Sequence, residues 1–185
     1  MGQAIVRKAV TDFLTYAVNQ GIIPLVGQVY PGRTYIFEQD YEVNAANAYA
    51  GNTTGDAAVL VVNLVGPDRR NRIALAGRTA NYDMNIHPVV IEIFFASRSG
   101  NPLTAQQSYD TIVDAIVPLI RANPTLNSPV FANPSAIWSA GEYSAGVVHQ
   151  QTEPFTDQQG TTVFIVGEVQ FEAWEQIVVP EVVPL

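Results

Sequence analysis

The chain has 185 residues, with two histidines, 17 carboxylates and nine basic side chains from which chemistry could be built. His87 precedes Pro88 at the entry to a predicted strand, and His149 stands between Val148 and Gln150. Neither belongs to an HxxxH or HxH pair, so a metal could be held only if distant carboxylates converged on one of them. Ordinary structural histidines are the simpler reading. Paired carboxylates can do acid–base work, and the stretch GEVQFEAWEQ puts Glu168 and Glu172 on one face of a predicted strand. Four residues apart, their Cα atoms lie about 13 Å apart. That is too far to share a proton, and stretched even for a pair flanking a glycosidic bond. Ser97-Arg98-Ser99-Gly100 precedes a predicted helix and could hold an anion, but a polar turn is the plainer account. No GxSxG, Walker or dinucleotide-binding glycine pattern occurs. The absence of cysteine excludes disulfides and thiolate metal sites. The expectation is no catalytic residue, no metal and no cofactor.

The elements that position these groups follow from periodicity. Ile5, Val6, Ala9, Val10, Phe13, Leu14, Ala17 and Val18 repeat at helical spacing, and Gly21 supplies the stop. The stretch Glu38–Asp56 is polar and rich in small residues, which predicts a long loop. Ala57–Val65 is a continuous apolar run, followed by turn material and renewed strand character at Arg72–Gly77, which predicts a hairpin with a charged tip. Asn81–Ser97 is predicted to hold a strand, most firmly at Val89–Phe95, which is apolar on both faces apart from Glu92, as in a covered central strand. A second helix is predicted from near Leu103, with Thr104 and Gln107 in capping-box register and a buried stripe from Tyr109 to Ile120. Pro118 should kink or tighten its last turn. Strands are expected near Ala136–Glu142, Tyr143–Gln151 and Thr161–Gln176. The segment Val178–Leu185 is apolar but cut by two prolines, which predicts an extended arm beyond a single domain of residues 1–177. The order predicts an α+β fold, with two helices packed on one mainly antiparallel sheet.

Charge narrows the function classes. Hydrophobic residues make up 48% and charged residues 14%, enough for a core and too little charge for a disordered chain. The net charge of −8 argues against a phosphate-gripping nucleic-acid binder. No apolar run is long enough to span a bilayer, and no membrane partner is expected. From Ala122 onward there are carboxylates and not one Lys or Arg, while Arg69, Arg70, Arg72 and Arg78 cluster on or beside the predicted hairpin. Such segregation becomes useful when the basic tip of one copy meets an acidic patch of the next.

The opening helix Ala4–Asn19 with Gly21-Ile22 and the strand Pro88–Ser97 come first in this order. The helix Ala105–Ala122 with Asn123-Pro124-Thr125-Leu126 follows, and closing strands end at Val163–Trp174. In order, length and texture this resembles the lambda-type tail terminator (tail completion) proteins of long-tailed bacteriophages, over most of the chain and without a diagnostic motif. The resemblance implies a non-catalytic structural virion protein in the tail-neck region, assembled in the host cytoplasm. It implies a homo-oligomeric, hexameric ring that caps the tail tube protein and docks it to the head–tail connector protein. DNA would pass through without specific binding. The residues Glu168, Gln170 and Glu172 would then face an acidic lumen or a neighbouring subunit. Arg69, Arg70, Arg72, Val182, Val183 and Leu185 are the candidate interface residues. Two alternatives stand beside it: another head–tail joining or tail tube subunit, and a small soluble enzyme or ligand-binding protein with a pocket at His87 or His149.

Overall fold

A computed structural model describes residues 3–32, 55–65, 69–73, 80–123, 126, 137–139, 146–157 and 160–180. Their elements, in chain order, are α1 (Gln3–Asn19), β1 (Val26–Tyr30), β2 (Asp56–Leu64), β3 (Arg69–Ile73), β4 (Ala80–Ser97), α2 (Pro102–Ala122), β5 (Ile137–Ser139), β6 (Val148–Gln151), β7 (Phe155–Thr156) and β8 (Val163–Pro180). The fold is α+β, with both helices on one face of a mostly antiparallel sheet.

The helices end where local chemistry says they must. Gly21 adopts φ 69, so its N–H reaches the Val18 carbonyl at 2.9 Å and that of Ile22 reaches Ala17 at 2.9 Å. This paired arrangement satisfies two of the carbonyls that a helix end leaves open. α2 starts within a residue of the expected Leu103, but Thr104 and Gln107 do not form its cap. Asn101 is the cap, its side chain accepting from the Leu103 N–H at 3.0 Å, and Pro102 occupies the first helical turn. Pro118 lies inside the helix, which continues to Ala122.

The sheet is organised by one long pairing. β4 and β8 run antiparallel in unbroken register from Ala80 opposite Pro180 to Ser97 opposite Val163. β8 therefore continues through Val178, Val179 and Pro180, three residues into the segment expected as an arm. Pro180 stands at the strand's last pair, where a missing N–H is tolerated. Val182, Val183 and Leu185 lie outside the described residues, as does the predicted loop up to residue 54.

The expected hairpin between the Ala57–Val65 run and the arginine-bearing strand does not form. β2 and β3 both pair with β4, along the same edge: Asp56 to Leu64 against Ser97 to Val89, then Arg69 to Ile73 against Ile86 to Tyr82. The two are successive pieces of one edge, and it is β3 that makes a hairpin with β4. Pro88 explains the break between them. The Val65 N–H donates to the Pro88 carbonyl at 3.1 Å, so Pro88 faces β2 at this point. A ladder residue turns its N–H and C=O toward the same neighbour. Pro88 has no N–H to return, and the ladder stops there and resumes at Arg69. β1 adds a parallel strand outside β2.

The core lies between the helices and one sheet face. Val6, Val10 and Leu14 of α1 and Tyr109, Ile112 and Ile116 of α2 pack over Leu60, Ile91, Ile93, Ile165 and Val169. On the opposite face a smaller cluster, Ala57, Val59 and Val61, is joined by half-buried Tyr30, Phe94 and Ala96. Sequence neighbours on β8 should therefore differ sharply in cost. Ile165→Ala, beneath the helices, is expected to lose about 2–5 kcal/mol. Val166→Ala, half-buried on the other face, should lose less than about 1 kcal/mol. Urea unfolding of the two variants checks this, and equal losses would contradict the two-faced sheet.

Candidate functional site

The face of the sheet away from the helices carries the polar groups. Alternation along β8 directs Glu168, Gln170, Glu172 and Trp174 to it, all half-buried, while Val169, Phe171 and Ala173 are buried on the helix side. The Gln170 amide donates to Glu168 Oε1 at 2.5 Å, and Trp174 Nε1 donates to Glu172 Oε2 at 3.3 Å. Each carboxylate is thus oriented by a side chain two residues along its own strand.

Register adds a residue that sequence reasoning treated only as the polar exception in an apolar strand. Glu92 of β4 lies directly opposite Glu168, and Gln150 of β6 flanks Glu168 on the other side. Like charges facing across an antiparallel pair are unfavourable. Around them opens a cleft of about 310 Å³, lined by Glu92, Phe94, Gln150, Thr152, Val166 and Glu168 among others. Its lining mixes apolar Phe94 and Val166 with the carboxylates of Glu92 and Glu168. At one end of this face Phe155 stacks on Phe164 with ring centroids 5.5 Å apart, and Phe155 is 52% exposed.

The three candidate arginines all lie on β3, two consecutive and the third two residues on. Arg69 pairs with Ile86, in line with Trp174 and hence with the rows of Glu168 and Glu172. Arg70 and Arg72 pair with Asn85 and Asp83, on the rows of the other face. The fold brings all three positions to the β4 edge of the sheet, across β4 from β8.

Neither histidine lines this cleft. His87 is 1% exposed on the helix-facing side of β4, opposite Ala173. His149 lies on β6 opposite Val169, and its Nε2 is 3.0 Å from the hydroxyl of fully buried Tyr109 on α2. Burial, with a smaller push from Asp110, holds the phenol well above its ordinary pKa, so it keeps its proton. Burial also lowers the His149 pKa, partly offset by Asp110, so the imidazole is neutral. The buried O–H then donates to Nε2, and the ring proton resides on Nδ1.

Gly167 makes this contact possible. A Cβ there would run into the Tyr109 hydroxyl and approach the Gln150 carbonyl to 2.9 Å. Nothing in local sequence marks this glycine, because the atom it makes room for comes from a helix far back in the chain. The Ser97–Gly100 turn is likewise structural: Ser97 Oγ donates to Ser99 Oγ at 2.9 Å, and the helix start beyond it is capped by Asn101. Among the described residues no group of three or more His, Asp or Glu is placed to hold a metal ion.

No family model and no curated protein matches the chain. Among solved structures it is similar to a chain from the virion of a native gene transfer agent particle, at a TM-score of 0.39 and 13% sequence identity. That alignment covers 91% of this chain and 93% of that one.

The Tyr109–Gly167 contact yields a direct check. Gly167→Ala should destabilise the protein by about 1–3 kcal/mol through overpacking. In a Tyr109→Phe background, where the colliding oxygen is gone, the same substitution should cost measurably less. Thermal unfolding of the four proteins gives the coupling, and additive losses would rule out the steric account.

Proposed function

We propose that this protein is a non-catalytic structural virion subunit of the tail-terminator kind. In this reading, copies close into a hexameric ring that caps the tail tube and docks to the head–tail connector. The observation that carries it is the division of labour between the faces of the β4–β8 pair. One face is sealed beneath both helices, and the other offers an ordered acidic row, Glu92, Glu168 and Glu172, beside an aromatic end. The element order on which the sequence resemblance rests, helix, central strand, helix, closing strand, supports the same reading.

A ring needs a heterologous contact, in which two different patches of one subunit meet on successive copies. β3 lies at one edge of the sheet and β6 at the other, with β4 and β8 between them. We assign Arg69, Arg70 and Arg72 to one side of the subunit contact, with the chain end carrying Val182, Val183 and Leu185 as an apolar contribution. The row Glu168, Gln170 and Glu172 is assigned to the lumen, where it repels phosphates and leaves DNA free to pass.

Native mass measurement tests the ring first: a closed oligomer is expected, and a strictly monomeric protein at high concentration would overturn the proposal. Charge reversal tests the assignment of faces. Rim ion pairs contribute about 0–1 kcal/mol each, so charge sets register while apolar contacts supply most of the affinity. Glu172→Arg should leave ring formation intact and slow DNA passage, and Arg70→Glu should weaken assembly more at low salt than at high salt. If Glu172→Arg instead restores assembly to Arg70→Glu, the acidic row belongs to the subunit contact and the lumen assignment fails.

A further inference from the structure

β6 is short and mostly exposed, and it is held on two sides by different chemistry. Along β8 it has four ladder pairs, Val148 with Gln170 through Gln151 with Gly167. Toward α2 it is held by side chains. His149 Nε2 accepts from Tyr109 at 3.0 Å, Gln106 and Gln151 exchange amide hydrogen bonds at 3.2 and 3.0 Å, and Arg121 Nη2 reaches the Val147 carbonyl at 3.4 Å. The glutamine pair is exposed and competes with water, and the arginine contact is long. The Tyr109–His149 bond is the one made against the core.

We infer that β6 is an acid-released strap whose catch is the hydrogen bond from Tyr109 to neutral His149. The catch needs an acceptor at Nε2. A protonated imidazole has donors at both nitrogens, so the phenol would have to accept and turn its own proton into the apolar core around it. The groups facing His149 do not prevent this. From α2 they are Tyr109, which keeps its proton, and Asp110, whose charge only partly offsets burial. From β8 the facing residue is Val169, and Glu168 lies on the other face. Gln150 and Gln151 of β6 are uncharged.

The sign follows from the lowered pKa of His149. Folding favours the neutral ring, so the catch is fully engaged above the ordinary imidazole value of 6.5 and is lost as pH falls below it toward the folded value. Because Gln150 and Gln151 also wall the cleft on the opposite face, the cleft loosens together with the catch.

Amide hydrogen exchange between pH 7.5 and 5.0, corrected for intrinsic rates and read beside the His149 ring titration by NMR, tests this. In the wild-type protein the ring should titrate below its ordinary value. Across that titration residues 147–151 should lose about three- to tenfold in protection, the range a single buried hydrogen bond commands, while β4 amides hold. His149→Gln should abolish the pH-dependent part, and in Tyr109→Phe the ring should titrate closer to 6.5. Unchanged β6 protection through the ring titration would overturn the inference. An equal fall in folded His149→Gln would do so as well. Neither outcome depends on ring assembly, because the isolated subunit suffices.

Discussion

The β4–β8 ladder is the constraint to which every other described element answers. Its eighteen paired positions alternate strictly between faces, without a bulge. At about 3.4 Å per residue the pair is about 60 Å long, roughly twice the length of α2 at about 1.5 Å per residue. Every further strand attaches to it directly, except β1, which is joined through β2. With β4 held in place, a slip of β8 by one residue would put Val169 on the face away from the helices and Glu168 beneath them. The fold and the charged face therefore stand or fall on the same register.

That register also explains why a like-charge pair persists in the middle of a sheet. The helix side packs tightly enough to dictate position, and the residues between its buried side chains fall wherever alternation sends them. Glu92 and Glu168 meet because Ile91, Ile93 and Val169 must be buried. Hydrogen bonds from Gln170 and Trp174 orient the carboxylates of Glu168 and Glu172. What remains is a fixed acidic field on one face of the sheet, set by register.

Much of this was legible in the sequence where the signal is local. The stripe of α1 and its stop at Gly21, the apolar run of β4 and the alternation of β8 each follow from spacing within one element. The acidic face of β8 was legible for the same reason. What depends on a distant partner was not. Nothing near Arg69–Arg72 says that this strand continues β2 along β4, and Pro88 was read as a strand entry when it marks the break in a neighbouring strand's ladder. The role of Glu92 needs the register with Glu168. Gly167 and His149 acquire meaning only when α2 delivers Tyr109 between them. The start of α2 near Leu103 is legible to within a residue, but its cap is not, because two capping signals lie close together and Asn101 followed by Pro102 outcompetes Thr104 with Gln107.

The two long strands lie on either side of α2 in the chain, and this bears on the order in which the molecule assembles itself. Of all their pairs, Ser97 with Val163 encloses the shortest stretch of chain and Ala80 with Pro180 the longest. Loop-closure entropy favours the shorter closure, and contacts between remote residues form slowly. Both effects favour pairing that begins next to α2, where Phe95 and Ile165 have an apolar helix face to meet, over pairing that begins near β3. The end next to the arginines closes the longest loop, so its pairing leans on the core beneath the helices more than the other end does.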